Sequence, residues 1–220
     1  MNIVFDLDGT LVDSAPDLMA AANRMLADEG HAPLDLATIT SFIGNGLPKL
    51  VERVMRARNI PAHHFERLYD EVKDFYNAAP ADESRPMPGV PELLAALKAE
   101  GHKLGVCTNK PEEPARLILN LLGLEGYIDT VVGGDSLPEK KPHPAPLILA
   151  FERLGIGPRL YVGDSEVDAE VALAAAVRFA IYAHGYRKAA IEGLPHDFRF
   201  EHFSEVGPIV AGLREGASTA

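Results

Sequence analysis

The apolar run Ile3–Phe5 is followed at once by Asp6 and Asp8, and the turn residue Gly9 comes next. Side chains at positions i and i+2 of an extended backbone point to the same side, so both carboxylates face one region. Carboxylates beside a packed strand cost free energy unless a cation compensates their charge. A divalent metal ion is the simplest compensation, so this segment predicts a functional site rather than a stretch of surface.

Polar residues also follow two later apolar runs of the same kind. The run Lys103–Cys107 ends at Thr108, and the run Leu160–Val162 is followed by a glycine and Asp164. Ligands of open parallel sheets bind outside the carboxyl ends of the strands. We therefore expect Asp6, Thr108 and Asp164 to meet at one edge of a sheet.

Hydrophobic periodicity divides the chain into a core and an insertion. Up to Ser14, and again from Lys103 onward, short apolar runs alternate with helical stretches, which is typical of an α/β fold with a doubly wound parallel sheet. The pattern between them is helical throughout. The expected helices span residues 16–28, 35–42, 47–58 and 61–77. The predicted organisation is a Rossmann-like core, residues 1–13 and 86–220, and a helical insertion, residues 14–85.

Four short motifs, each beside a predicted strand or helix, resemble those of the haloacid dehalogenase superfamily over nearly the whole chain. The matching positions are Asp6-x-Asp8-Gly9-Thr10 for the first motif, Thr108 for the second, Lys141 for the third and Gly163-Asp164-x-x-x-Asp168 for the fourth. The residues around these motifs are similar to those of phosphoglycolate phosphatases. The resemblance implies that the helical insertion is a cap that closes over the active site.

A phosphomonoester dianion repels nucleophiles, so its hydrolysis requires charge neutralisation, alignment and a proton for the leaving group. In a phosphatase of this kind Asp6 would attack phosphorus and form an aspartyl phosphate. Asp8 would protonate the leaving alkoxide and then deprotonate water, with Thr10 beside the substrate and orienting Asp8. Thr108 would donate a hydrogen bond to a phosphoryl oxygen, and Lys141 would offset the charge of the phosphate and the carboxylates.

The metal predicted for this site is Mg²⁺. The Asp6 carboxylate, the Asp8 backbone carbonyl and the Asp164 carboxylate would supply oxygen ligands. Asp168 belongs to the same metal site, as a partner that surrounds the ligands. The chain has no cluster of cysteine or histidine residues, which favours magnesium over zinc.

Two segments are candidates for binding the rest of the substrate. The loop Gly44-Asn45-Gly46 lies in the insertion, and two interpretations remain open: Asn45 hydrogen-bonds a small carboxylate, or the loop is an ordinary turn between helices. Asn109 and Lys110 follow the second motif. Lys110 would meet the substrate carboxylate or lie in solvent at the rim of the site.

These residues predict a magnesium-dependent phosphatase of small phosphorylated carboxylic acids, with 2-phosphoglycolate as the first choice. Two alternatives remain open, because a phosphatase of another small phosphoester and a phosphosugar mutase would keep the same four motifs. A haloacid dehalogenase needs neither magnesium nor Asp8. A non-catalytic binding protein would have no reason to keep clustered charges that cost stability.

Composition limits the partners. The formal net charge of -11 opposes binding to nucleic acid or to an anionic membrane surface. The single cysteine, Cys107, and the lack of a long apolar segment predict a cytoplasmic protein without disulfides. We expect a small-molecule substrate and a monomer or homodimer.

Two features stand apart from the predicted chemistry. In the run Ala174–Val177 the resembling proteins usually have a glycine at about the third position, where this chain has Ala176. Alanine is less suited than glycine to a left-handed helix cap, which affects local stability. The run Gly185-Tyr186-Arg187 also resembles the family, but the sequence assigns no role to it.

Overall fold

A six-stranded parallel sheet forms the centre of the computed structural model, which describes residues 1–218 and the side chains of residues 1–214. Two further strands, β2 and β3, form a separate antiparallel ribbon. In chain order the strands are β1 (Asn2–Phe5), β2 (Val12–Asp13), β3 (Arg85–Pro86), β4 (Lys103–Cys107), β5 (Thr130–Val132), β6 (Arg159–Gly163), β7 (Arg178–Tyr182) and β8 (Phe198–Phe200).

Helices flank the sheet, and four of them come between the two strands of the ribbon. In chain order the helices are α1 (Ala15–Asp28), α2 (Leu36–Thr40), α3 (Leu47–Ala57), α4 (Phe65–Ala78), α5 (Val90–Ala99), α6 (Glu112–Leu121), α7 (Ala145–Leu154), α8 (Glu166–Ala174) and α9 (Val206–Ser218). Within the described part of the chain, these helices are too short or too polar to cross a membrane.

The strand order places the predicted motifs side by side. The sheet runs β5-β4-β1-β6-β7-β8, so β1 lies between β4 and β6. Phe5, the last residue of β1, is in register with Val106 on one side and with Val162 on the other. The chain reverses its direction of travel across the sheet at β1, and such a switch point is where open α/β sheets bind ligands.

Alternate residues of β1 face the two sides of the sheet. Ile3 and Phe5 belong to one hydrophobic cluster and Val4 to the other, and all three are completely buried. A strand buried on both faces has no polar alternation, which explains the continuous apolar run in the sequence. The doubly wound α/β fold predicted from the sequence is confirmed.

The helical insertion leaves and rejoins the core through the ribbon. Val12 pairs with Pro86 and Asp13 pairs with Arg85, next to the boundaries predicted at residues 14 and 85. Apolar side chains of α1, α3 and α4 belong to the same hydrophobic cluster as one face of the sheet. The division into a catalytic core and a cap stays a prediction.

The helix ends differ from the predicted ones by a few residues. The helix predicted from residue 35 begins at Leu36, because the Asp35 side chain accepts a hydrogen bond from the Thr38 N–H at 2.7 Å and caps it. The helix predicted from residue 61 opens with a 3₁₀ turn, Ala62–His64, before α4 starts. Such turns are frequent at helix ends.

Ala176 occupies the left-handed conformation that the family's glycine would occupy. Its φ angle is 53°. The Val177 N–H donates to the Ala172 carbonyl at 3.0 Å and the Ala176 N–H to the Leu173 carbonyl at 3.1 Å, which closes α8 as a Schellman motif. An alanine held in this region costs about 1–2 kcal/mol.

We expect Ala176→Gly to stabilise the protein. The substitution relieves the left-handed strain, and the more flexible unfolded chain cancels part of that gain, which leaves about 0.5–1 kcal/mol in the free energy of unfolding. Thermal unfolding should then shift upward by about 1–4 °C. Ala174→Gly, at the last residue of the same helix, is the control and should not raise the stability, because Ala174 has no left-handed strain to relieve. An unchanged or lower midpoint for Ala176→Gly would contradict the assignment.

Candidate active site

Asp6 lies at the carboxyl end of β1 and is almost fully buried. Its N–H continues the sheet by donating to the Val162 carbonyl at 2.9 Å. The Lys141 Nζ atom lies 2.9 Å from Asp6 Oδ1. Burial, and after it the Asp168 carboxylate, raises the pKa of Asp6 well above its ordinary value. The carboxylate therefore occupies a position where added positive charge would stabilise it.

Lys141 is the buried cation of the site. Besides Asp6, its Nζ atom contacts Asp168 Oδ1 at 2.7 Å and the Tyr161 hydroxyl at 2.9 Å. Burial alone would lower the pKa of Lys141, but Asp168 and Asp6 together raise it above the ordinary value. The lysine stays protonated and has all three ammonium donors engaged.

Asp168 has no oxygen left for a further ligand. Its Oδ1 accepts from Lys141 and from Tyr161, and its Oδ2 accepts from the backbone of Asp164 and from the backbone and hydroxyl of Ser165. These five donors exceed the roughly four lone-pair sites of a carboxylate. Burial alone would raise the pKa of Asp168, but Lys141 holds it below its ordinary value. Asp168 therefore holds Lys141 and the turn after β6 in place.

Asp164 sits at the end of β6, where two donors orient it. The Thr10 hydroxyl donates to Oδ1 at 2.7 Å, and the Tyr186 N–H donates to Oδ2 at 2.5 Å. Burial, and after it the Asp168 charge, raises the pKa of Asp164 to about 7. Each oxygen of Asp164 keeps a free lone pair, in contrast to those of Asp168.

The carboxylates at the strand ends fit a divalent cation. Oxygen atoms of Asp6, Asp164 and Asp168 lie within 4.8 Å of one another. A space of about 30 Å³ borders Asp6, Asp8 and Asp164, which is enough for an ion or a water molecule. Hard oxygen donors and a raised pKa at two of the carboxylates suit Mg²⁺. By the count of free lone pairs, Asp6 and Asp164 are the side chains that could hold it.

Asp8 is oriented by Ser14 and Lys110, not by Thr10. The Ser14 hydroxyl donates to Asp8 Oδ1 at 2.5 Å, and the Lys110 Nζ atom lies 3.0 Å from the same oxygen. The Thr10 hydroxyl is completely buried and donates to Asp164, so it does not orient Asp8 as expected. The assignment of Thr10 to substrate binding stays a prediction.

Lys110 is buried and connects Asp8 to the insertion. Its Nζ atom donates to the Tyr76 hydroxyl at 2.8 Å, and Tyr76 belongs to α4. Burial alone would lower the pKa of Lys110, but Asp8 and Tyr76 raise it above the ordinary value, so the ammonium group keeps its charge. Only 8% of Lys110 is exposed, which excludes the interpretation as a solvated residue at the rim.

Thr108 and Asn109 follow β4 at the same edge of the sheet. The Thr108 oxygen accepts from the Lys110 N–H at 3.2 Å, which leaves its hydroxyl hydrogen to point elsewhere. The Asn109 amide nitrogen donates to the carbonyls of Gly44 and Lys141 at 3.2 and 3.1 Å. Asn109 Oδ1 is a buried acceptor without a partner among the described residues. An unsatisfied buried acceptor is costly and indicates that a donor from a ligand or water completes it.

The loop Gly44–Gly46 lies against the site, but Asn45 is already held by a neighbour. Arg53 donates to Asn45 Oδ1 at 2.8 Å and to the Phe42 carbonyl at 2.6 Å. Asn45 borders the small space beside Asp164, not the larger cavity next to it. The side-chain donor that it could offer to a substrate carboxylate is the amide N–H₂.

A cavity of about 380 Å³ lies between the sheet edge and the insertion. It has the size and the mixed apolar and polar lining of a small-molecule site. The predicted site residues that line it are Asp6, Asp8, Gly44, Gly46, Thr108, Asn109, Lys110 and Lys141. The insertion also contributes side chains to the wall, among them Leu18, Tyr69, Lys73 and Tyr76.

Several residues of the site were not predicted. Ser14 and Tyr76 hold Asp8 and Lys110, and Tyr161 holds Lys141. The one local signal for Tyr161 was its position inside an apolar strand. A tyrosine buried there needs a hydrogen-bond partner for its hydroxyl group. Gly9 and Gly185 are required by space: a Cβ at Gly9 would lie 2.6 Å from Asp164 Oδ2, and a Cβ at Gly185 would overlap Asp164.

Known proteins similar to this chain are hydrolases. A family model of haloacid dehalogenase-like hydrolases matches residues 3–182. A phosphoglycolate phosphatase of Cereibacter sphaeroides is 48% identical over 214 residues, which cover 96% of this chain and 98% of that protein. A phosphoglycolate phosphatase of Xylella fastidiosa is 42% identical over 188 residues, with coverages of 84% and 81%.

Solved structures share the fold over nearly the full length. The crystal structure of a predicted phosphoglycolate phosphatase from Haemophilus somnus has a TM-score of 0.89 at 34% identity. The superposition covers 94% of this chain and 96% of that chain. The similarity therefore includes the sheet, the flanking helices and the helical insertion.

Proposed function

This chain belongs to the haloacid dehalogenase-like hydrolases and is a phosphoric monoester hydrolase, and from that premise we propose that it is a magnesium-dependent phosphatase of 2-phosphoglycolate. The observation that carries the proposal is the cavity that Asp6 and Asp8 share with two buried lysines, of which Lys141 contacts Asp6 and Lys110 contacts Asp8. Two separate cations suit a substrate with two anionic groups, a phosphate and a carboxylate. The relatives from Cereibacter sphaeroides and Xylella fastidiosa are named for that substrate.

The first half-reaction would transfer the phosphoryl group to Asp6. A bond forms between a carboxylate oxygen of Asp6 and phosphorus while the bond from phosphorus to the glycolate oxygen breaks. Lys141, 2.9 Å from Asp6, offsets the charge that the phosphate brings into the site. Asp8 gives its proton to the departing oxygen, so glycolate leaves as the free alcohol.

The second half-reaction would hydrolyse the aspartyl phosphate. Water attacks phosphorus, the bond from phosphorus to the Asp6 oxygen breaks, and Asp8 takes the proton that the water loses. Ser14 and Lys110 keep one oxygen of Asp8 fixed and leave the other to face the reaction. Phosphate then leaves and the carboxylate of Asp6 is regenerated.

Mg²⁺ would be held by the carboxylates of Asp6 and Asp164 together with the backbone carbonyl of Asp8. When bound, it supplies positive charge that neutralises phosphoryl oxygens during transfer. Thr10 and the Tyr186 N–H orient Asp164 toward that position. Asp168 would stay outside the ligand set because protein donors already use its oxygens.

Lys110 is our candidate for recognising the carboxylate of the substrate. An ammonium group has three N–H donors, and Lys110 uses two of them on Asp8 and Tyr76. The third is available to a group in the cavity. Asn45 is a weaker candidate because Arg53 holds it and it does not line the larger cavity.

A phosphate-release screen tests the proposed function directly. The panel contains 2-phosphoglycolate, ethyl phosphate, p-nitrophenyl phosphate and hexose phosphates, each with magnesium and with excess chelator. We expect 2-phosphoglycolate to have the highest kcat/KM and activity to require magnesium. Preference for ethyl phosphate would exclude carboxylate recognition, and isomerisation of a hexose phosphate without phosphate release would indicate a mutase.

We expect Lys110→Met to change the substrate preference. A hydrogen bond to a charged group contributes about 1.5–3 kcal/mol, so the ratio of kcat/KM for 2-phosphoglycolate to that for p-nitrophenyl phosphate should fall by roughly ten- to a hundred-fold. Both rates should also fall together to some extent, because Lys110 holds Asp8. Steady-state kinetics on the two substrates measures the ratio.

Lys73→Met is the matched control, since Lys73 is an exposed lysine of α4 that lines the same cavity. It should leave the ratio within about two-fold of the wild type, which is small against the hydrogen-bond contribution. A selective loss in Lys73→Met instead would assign the carboxylate to that residue. A selective loss in Asn45→Ala would assign it to the loop Gly44–Gly46.

A further inference from the structure

Tyr186 lies in the loop after β7 and contacts the site through its backbone and its ring. Its N–H donates to Asp164 Oδ2 at 2.5 Å. Its ring covers Gly9 so closely that a Cβ there would lie 2.8 Å from the Cδ2 atom of the tyrosine. These two contacts support the turn after Asp8 and the placement of Asp164, and neither of them uses the hydroxyl group.

The hydroxyl group of Tyr186 reaches a different part of the molecule. It donates to Asp13 Oδ1 at 2.5 Å and accepts from the Ala15 N–H at 3.1 Å. Asp13 belongs to β2, and Ala15 is the first residue of α1. Burial, and after it the Asp13 carboxylate, raises the pKa of Tyr186 above its ordinary value, so the hydroxyl keeps the proton that it donates.

The two contacts of the hydroxyl lie where the chain enters the helical insertion. The ribbon that joins insertion and core consists of two residue pairs, and Asp13 belongs to one of them. The first N–H groups of a helix have no partner inside the helix, so the Tyr186 oxygen satisfies one of them at Ala15. One residue thus connects the loop that holds Asp164 to the entry of the insertion.

We propose that Tyr186 is a positioning residue that fixes the helical insertion relative to the catalytic loops through its hydroxyl group. The inference rests on the proposed function, because the insertion supplies Tyr76, which holds Lys110 beside Asp8. If the chain shifted at Asp13 and Ala15, where it enters the insertion, α1 would move and the wall of the cavity would move with it. Elements that close over a site change kcat and KM together when their hinge is altered.

The variant Tyr186→Phe removes the hydroxyl group and keeps the contacts of the backbone N–H and the ring. Loss of a hydrogen bond to a carboxylate should lower kcat/KM for 2-phosphoglycolate about ten-fold, with kcat and KM both changed. The magnesium concentration for half-maximal activity should stay within about two-fold, because the N–H contact to Asp164 remains. Tyr182→Phe is the control, since the Tyr182 hydroxyl has no hydrogen-bond partner among the described residues.

A double-mutant cycle and hydrogen exchange locate the effect. Asp13→Ala should cause a similar loss, and the double variant should lose no more than the larger single loss, because both remove one interaction. In Tyr186→Phe the Ala15 amide should exchange faster than in the wild type and in Tyr182→Phe. This readout does not depend on the substrate.

Distinct outcomes overturn the inference and the proposed function. Wild-type enzyme that hydrolyses p-nitrophenyl phosphate but not 2-phosphoglycolate would refute the proposed substrate, and the exchange of the Ala15 amide would still test Tyr186. Unchanged exchange at Ala15 together with unchanged kinetics in Tyr186→Phe would refute the positioning role. Additive losses with Asp13→Ala, or a raised magnesium requirement in Tyr186→Phe, would also refute it.

Discussion

Asp6→Asn should abolish turnover while the protein stays folded. The amide has the shape of the carboxylate but cannot form the acyl phosphate, so kcat should fall by roughly 10³- to 10⁶-fold. Burial and the Asp168 charge make the Asp6 carboxylate costly, so the neutral side chain should not reduce stability. Phosphate release by protein from a host without the wild-type enzyme measures the loss, and thermal unfolding checks the fold.

Trapping the intermediate is the positive counterpart of that experiment. Rapid acid quench of the wild type with 2-phosphoglycolate should place a phosphoryl group on the peptide that contains Asp6, and Asp8→Asn should slow both formation and hydrolysis of this species. Asp74→Asn, an exposed aspartate of α4, should behave as the wild type. Near-normal activity of Asp6→Asn would refute the covalent mechanism.

The position of the site follows from local sequence because strand ends have strong local signals. Ile3–Phe5 is an unbroken apolar run, and Asp6 follows it without a spacer. Parallel strands carry their carboxyl ends to one edge, so the end of β6 predicts where Asp164 lies without knowledge of any contact. A rule that needs only strand direction therefore placed residues 158 positions apart in sequence at one site.

Hydrogen-bond partners could not be predicted in the same way. Thr10 was expected to orient Asp8, yet its hydroxyl donates to Asp164, 154 positions away. Ser14 fills the expected role of Thr10. A turn changes the side on which each residue points, so the i and i+2 rule of a strand no longer holds beyond Gly9.

Burial of the polar residues depends on the insertion. Lys110 follows β4 of the core, but its hydrogen-bond partner Tyr76 comes from α4 of the insertion. Tyr186 likewise gains its hydroxyl partners from β2 and α1. No periodicity within a single segment encodes such contacts, because they arise from packing between segments distant in sequence.

Removal of magnesium should stop turnover, and Asp164→Asn should raise the magnesium requirement by at least about ten-fold. Asp164 and Asp6 are the side chains with free lone pairs at the strand ends, so loss of one charged oxygen ligand weakens the site directly. Activity in a chelator series, followed by magnesium titration of each variant, measures the half-saturating concentration. Calorimetric titration with magnesium alone gives the same comparison without a substrate.

The variant Asp168→Asn tests whether Asp168 is itself a metal ligand or a residue that holds the ligands in place. Asp168 pairs with Lys141 in a fully buried position, so its substitution should lower the unfolding free energy by about 3 kcal/mol and reduce kcat. The half-saturating magnesium concentration should rise less than in Asp164→Asn, because both oxygens of Asp168 already accept hydrogen bonds from protein donors. An equal rise in both variants would make Asp168 a ligand, and full turnover in excess chelator would remove the metal from the mechanism.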